Sequence, residues 1–202
     1  METVYVKTYQ PPEVDIEQIT RYACIGELTD ELEKLTRECL SEVLDKLSYK
    51  VCYCKVPVIV DEEVVDFGFA KVKSRNLSKN LANCTSAILF AASIGIEIDR
   101  LIKKYSLLAP SKAVMFQSIG AERVESLCNT FNDEIDLELK NTKPRYSPGY
   151  GDFPLEFQRE IFKVLNCPKN IGVSLSDNCL MTPSKSVTAI IGINNGDKNE
   201  DN

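Results

Sequence analysis

Residues 145–152, Arg145-Tyr146-Ser147-Pro148-Gly149-Tyr150-Gly151-Asp152, bring a fixed-charge fork, a proline-glycine turn and two tyrosines into one short stretch. Pro148 presets φ for the first corner of a turn, and Gly149 accepts the positive φ of the second. A residue without Cβ also lets a ligand approach the backbone, whose N–H and C=O groups can read an adenine or an amino-acid head. Arg145 offers a carboxylate a two-pronged grip that lysine does not match. Tyr150 is able to face a cation. On spacing alone a second reading stands beside this one: a surface turn between two helices, with Arg145 solvated and Tyr150 packed on the adjoining helix.

The other reactive set is eight cysteines, at 24, 39, 52, 54, 84, 128, 167 and 179. Cys52 and Cys54 alternate along a predicted strand and aim at one face, which permits chelation together with Cys24, Cys39 or Cys84. Yet no Cys-x-x-Cys pair occurs, and buried free cysteine behaves as a small hydrophobe. The chain has no histidine. That excludes a Ser-His-Asp triad, a Cys-His dyad, a His-bearing zinc site and any histidine from this chain beneath a cobalt or haem iron. No metal site and no catalytic residue are expected. With 24 Lys plus Arg against 30 Asp plus Glu, the net charge of −6 has the wrong sign for a nucleic-acid binder. The longest apolar run, 87–96, is about half the ~20 residues that cross a bilayer. The start, Met1 to Tyr5, lacks the basic end and apolar stretch of a signal peptide, and the composition is unlike a disulfide scaffold. A cytoplasmic protein with reduced thiols, and with neither membrane nor nucleic acid as partner, is expected.

Several elements must position the 145–152 loop. Val14, Ile16, Ile19 and Tyr22 predict a short helix ending near Gly26, and a longer one follows with Thr29 as cap and with Leu28, Leu32, Leu35, Cys39, Val43 and Leu47 recurring every three or four residues. Period-two alternation predicts a strand over 50–60, and a second over 64–70. Ser78 is expected to cap a short helix. The continuous apolar run 86–94 reads as a mid-sheet strand covered on both faces. Helices follow over 96–105 and from Pro110 to near Lys140, with Val124, Leu127, Phe131 and Ile135 inward. Pro154 opens a further helix, with Phe157, Ile161, Val164 and Leu165 inward. Strands are predicted over 171–175 and 186–193. The fold class is α+β, with helices packed on a mostly antiparallel twisted sheet. Residues 1–85 form a helical and strand region packed on the rest, 86–193 the core that carries the loop, and 194–202 a disordered tail.

The pattern Arg-x-x-x-Gly-Tyr, Arg145 to Gly149-Tyr150, resembles the S-adenosylmethionine-binding signature of the activation domain of cobalamin-dependent methionine synthase. Two more segments resemble that family in the same order. Leu89-Phe90-Ala91-Ala92-Ser93-Ile94-Gly95 with Ala121-Glu122-Arg123-Val124-Glu125 is similar to the strand and helix before the signature, and Leu175 to Val187 to its closing Met-x-Pro segment. The resemblance spans Ser86 to Ile193. It departs from the family's longer members at Ile190-Ile191-Gly192-Ile193, which replaces an aromatic associated with the ligand, and at Gly151-Asp152-Phe153-Pro154, which replaces a cysteine- and histidine-containing stretch.

The resemblance implies a protein that binds S-adenosylmethionine and presents it to cobalamin held by a partner, a methionine synthase lacking its own activation domain. An electron from flavodoxin or a similar donor would drive reductive remethylation. Arg145 would pair with the ligand carboxylate and backbone around Ser147, Pro148 and Gly149 would meet its polar edges. Tyr150 would stack on the ligand or face the sulfonium, and Glu125 would take the ammonium, with Glu122 second in line. No proton need be removed from the donor, so no general base is required, and the protein supplies placement. Three alternatives stand beside this reading: a methyltransferase of Rossmann type built on 87–95, the cysteine metal site, and an interaction module whose loop binds a partner protein.

Overall fold

The computed structural model describes residues 3–24, 26 and 29–194. Its main sheet has four antiparallel strands in the order β1 (Tyr5–Thr8), β2 (Lys50–Pro57), β6 (Cys84–Ser93) and β9 (Ser186–Asn194). A small meander, β3 (Ile59–Asp61), β4 (Val64–Asp66) and β5 (Lys71–Lys73), and a hairpin, β7 (Ser174–Leu175) with β8 (Met181–Thr182), lie outside it. Helices α1 (Ile16–Tyr22), α2 (Asp30–Val43), α4 (Glu97–Leu108) and α5 (Pro110–Leu139) cover one face of the main sheet. On the other face lie α3 (Arg75–Asn80), α6 (Gln158–Leu165), α7 (Cys167–Ile171) and the meander.

Strand β6 explains why there are two cores. Ile88, Phe90 and Ala92 point into the first, while Ala87, Leu89 and Ala91 point into the second, so both sides of the run escape water. The first core centres on α5, thirty residues long, whose Phe131 ring lies 4.9 Å from Phe90 and 5.1 Å from Tyr53. Truncating Phe131 to alanine would open a cavity there at a cost of about 3–5 kcal/mol. The β6–β9 pairing is antiparallel, which rules out the parallel strand-helix-strand unit of a Rossmann methyltransferase.

Several boundaries differ from expectation for physical reasons. Strand β1 is an edge strand with Tyr5 and Val6 exposed, so it carries no alternating pattern. The run 50–60 divides after Pro57, which closes the β2–β6 register opposite Ser86. The run 64–70 divides too: Phe67 N donates to Ala70 O, Gly68 adopts φ +80°, and β4 turns back as β5. Ser74, not Ser78, caps α3 by accepting from Leu77 N at 3.0 Å, and Ser78 is buried with its hydroxyl on Ser74 O. Ile171 ends helix α7, closed by Gly172 at φ +71°, which leaves only Ser174–Leu175 as strand. Thr29 caps α2 as expected. Residue 85, where the sequence reading divides the chain, lies within β6, and β2 is hydrogen-bonded to β6 along its length. Asn194 ends β9, and the rest of the expected tail lies outside the described residues.

Arg123 and Glu122, both fully buried, are a structural pair. The guanidinium donates to Pro12 O at 2.7 Å and to Glu13 O, binding the N-terminal segment onto α5, while Glu122 neutralises it and accepts from Ser126 Oγ and Asp15 N.

Candidate functional site

The loop after α5 is stitched to the outer edge of β9. Asn194 N donates to Asn141 O, Lys143 N to Gly192 O, and Tyr146 and Ile190 exchange both N–H···O bonds, at 2.8 and 2.9 Å. At Ser147 the chain leaves the strand and turns: Tyr150 N donates to Ser147 O at 3.2 Å, with buried Pro148 at the first corner and Gly149 at φ +94° at the second. This is the turn that the Pro-Gly pair predicts. A Cβ on Gly149 would meet Leu155 Cδ1 at 3.2 Å.

Asp152 holds the far side of the turn. Its carboxylate accepts from Ser74 Oγ at 2.5 Å, Arg75 N at 2.8 Å and Asn76 N at 3.1 Å, so it caps α3 across 76 to 78 residues of chain. The Ser74 hydroxyl in particular holds its carboxyl below the ordinary aspartate range. Gly151 is required by close approach, since a Cβ there would stand 2.3 Å from Asn76 Nδ2 and 2.8 Å from the Tyr146 hydroxyl. The loop is thus fixed at both ends, to β9 and to α3.

Between this turn, α5, the start of α6 and the first residues of β9 lies a cavity of about 620 Å³. Arg145, Ser147, Pro148, Tyr150 and Glu125 line it; Gly149 sits behind, its N–H donating to Phe153 O at 2.9 Å. Glu122 does not line it, being committed to Arg123. The cavity is therefore open rather than filled by the loop's own side chains.

The polar end of the cavity is built from α5. Arg145 Nη2 lies 2.6 Å from Glu125 Oε2 and Nη1 donates to Asn129 Oδ1 at 2.8 Å. Asn132, with its amide turned to donate to Cys128 O, accepts from Nη1 at 2.7 Å. The Arg145 side chain is only 22% exposed, and among the described residues its Nε–H and one Nη2 hydrogen have no partner. These N–H donors are left to take a carboxylate. Beneath the pair, burial pushes the Cys128 thiol up to about 12, so it stays neutral there. An anion site beside a carboxylate suits a group that carries both charges, such as an amino-acid head.

The opposite wall holds residues that the sequence reading does not single out. Gln158, 6% exposed at the start of α6, and Thr188, 2% exposed on β9, both line the cavity, and each has a buried side-chain oxygen without a partner. A signal for them exists. Gln158 falls on the buried stripe with Ile161, Phe162 and Leu165, and Thr188 alternates with Ile190 on the core-facing side of a strand. A polar residue at an apolar position either finds a partner inside the protein or meets a ligand.

The cysteines are not gathered at a site. Cys52, Cys54 and Cys84 lie in the second core, Cys39 lies in the first and Cys24 is exposed. Among the described residues no cluster of cysteine, aspartate and glutamate has the makings of a metal centre, and no helix is long and apolar enough to cross a membrane.

Two helix-covered cores on an antiparallel sheet, with a cavity at the sheet's edge and the Arg145 loop over it, define an α+β domain of the activation-domain type. The chain belongs to the vitamin B12-dependent methionine synthase activation domain family, whose model matches residues 79–198. It is similar in fold to a solved structure described as the MetH reactivation domain bound to AdoHcy, at 14% sequence identity and a TM-score of 0.67. That match covers 98% of this chain and 80% of the other. No curated protein matches the chain in sequence.

Proposed function

We propose that this chain binds S-adenosylmethionine in the cavity beside the Arg145–Tyr150 loop and presents it to cobalamin held by a partner methionine synthase. The observation that carries the reading is the half-buried Arg145–Glu125 pair at one end of a 620 Å³ hollow, in a chain of the activation-domain family. The hollow is of the size that small-molecule ligands fill, ~300–1,000 Å³. Its donor set suits the ligand: the free N–H donors of Arg145 for the carboxylate, Glu125 for the ammonium, and unpartnered polar atoms at the opposite wall for a nucleoside. Tyr150, 67% exposed at the rim, presents its ring where a sulfonium would be handed outward. Ser147 and Pro148 shape the loop side of the hollow, and Gly149 serves by conformation, since its N–H is already committed to Phe153 O.

The reaction sets modest demands on this chain. Reductive remethylation moves one electron and one methyl group, and the cobalamin and its electron donor, a flavodoxin or similar protein, supply that chemistry from elsewhere. The residues here bind the methyl donor, orient its sulfonium and leave its methyl side open. The chain alone turns over nothing.

Calorimetry with S-adenosylmethionine tests the reading. One-to-one binding is expected, and ligand at a hundredfold excess over Kd should stabilise the fold by about 2.7 kcal/mol, raising Tm by roughly 5–10 °C for a chain this size. Absence of both heat and shift at millimolar ligand removes the assignment.

A further inference from the structure

We infer that this chain pairs with a second copy of itself through β1, edge to edge and antiparallel about a two-fold axis at Val6, so that two four-stranded sheets join into one of eight. The inference goes beyond the function proposed above and does not depend on it.

The two edges of the main sheet are treated differently. The β9 edge is covered, since Asn141, Lys143 and Tyr146 bond to it. The β1 edge is bare. Tyr9 N donates to Tyr49 O at 2.9 Å, and the pairing of Tyr5 with Tyr53, Val6 with Cys52, Lys7 with Val51 and Thr8 with Lys50 continues the register of that bond. Successive residues of an antiparallel strand point their N–H and C=O groups to opposite sides. Tyr5 and Lys7 therefore face β2 with Tyr9, while Val6 and Thr8, and Val4 in the same phase, face outward. None of these outward groups has a partner among the described residues. Strand edges are ordinarily blunted by proline, by charge or by a covering segment. β1 has no proline, its one charge, Lys7, is paired with Glu134, and Tyr5 and Val6 stand 55% and 50% exposed.

What selects a second copy is that the strand is complementary to itself. Outward-facing residues must lie opposite outward-facing residues, and setting Val6 against Val6 achieves this for all three, with Val4 opposite Thr8 on either side and each pair exchanging both N–H···O bonds. On the face of the second core, where Val6 neighbours Cys52, β-branched side chains then line the seam. On the other face Tyr5, stacked on Tyr53 at 5.5 Å, comes opposite Lys7, an ammonium beside an aromatic ring. A slip of two residues in one direction sets Lys7 against Lys7, and in the other takes Thr8 past Val4, so charge and register favour a single pairing. The two-fold leaves both β9 edges, with their cavities, at the outer ends of the joined sheet.

Sedimentation velocity of the full chain, joined to hydrogen exchange read residue by residue, tests the pairing. At about 100 µM the wild-type chain should show a species of twice its mass that dissociates on dilution, and the Val6 and Thr8 amides should exchange more slowly in the concentrated sample than in the dilute one. Val6→Lys sets like charges against each other at the two-fold centre. Val6→Pro removes the outward N–H there and spares the β1–β2 bonds, which the other phase of the strand makes. Each variant should weaken self-association by about tenfold or more. A wild-type chain that stays monomeric at that concentration overturns the inference, and so does a dimer that both variants leave intact. If neither variant folds, the wild-type exchange decides: Val6 and Thr8 amides that exchange equally fast at both concentrations overturn it.

Discussion

In the proposed site Arg145 is the residue on which ligand binding is expected to turn, and its surroundings set the size of the effect. The guanidinium is held in place before any ligand arrives, by Glu125 at 2.6 Å and Asn129 at 2.8 Å. Little side-chain entropy is therefore lost when its free N–H donors take a carboxylate, and the contact should reach the charge-assisted range of about 1.5–3 kcal/mol. Arg145→Ala is expected to weaken S-adenosylmethionine binding by about ten- to a hundredfold in calorimetry. Arg145→Lys keeps the charge and loses the fork, so it should fall between, at about tenfold. The cost to the fold is smaller. The side chains of the pair are 22% and 34% exposed, which puts the ion pair near ~0.5–1 kcal/mol and the Tm loss at roughly 1–4 °C. A folded Arg145→Ala protein that binds the ligand within twofold of wild type would refute the role given to Arg145.

Other perturbations follow from the same geometry. Glu125→Gln should weaken S-adenosylmethionine but tighten the analogue lacking the α-amino group, since it removes the ammonium's partner and the carboxylate's neighbour together; parallel calorimetry of the two ligands reads the sign. Gly149→Ala, at φ +94° and with its Cβ 3.2 Å from Leu155, should cost about 1–2 kcal/mol in urea denaturation and weaken the ligand as well. Glu122→Gln strips a fully buried guanidinium of its counter-charge and should lose ~3–5 kcal/mol, most of it recovered in the double variant Glu122→Leu, Arg123→Met. Asp152 has a folded pKa below its ordinary 3.8, so its contribution is full above that value and disappears as pH falls through the lower folded one. Urea midpoints followed from pH 5 downward should drop more steeply for wild type than for Asp152→Asn.

Local chemistry carries through from sequence to structure where one residue type has one use. Pro148 and Gly149 have few alternatives to the turn they make, and Thr29 to the cap it forms. The run 86–94 is too apolar to lie anywhere but mid-sheet. Elsewhere the deciding partner is distant in sequence. Glu122 and Glu125 are three residues apart on one helix, and only the Pro12–Glu13 carbonyls, which draw Arg123 and with it Glu122 inward, leave Glu125 for the cavity. Asp152 caps α3, a helix that lies far back in the chain. Strand β1 is invisible because an exposed edge needs no pattern. Gln158 and Thr188 do break apolar patterns, but a single polar residue gives no hint that both breaks face the same hollow.

The central claim is that this chain places a methyl group for transfer to a corrin on another protein. The direct measurement supplies S-adenosylmethionine labelled in its methyl group, a reductant, and a cobalamin-loaded methionine synthase that lacks an activation domain, then follows label on the cobalamin. Label should appear only when this chain is present, and at a tenth or less of that rate with Arg145→Ala under subsaturating donor. Transfer that proceeds as well without the chain, or equally with the Arg145 variant, would contradict the account.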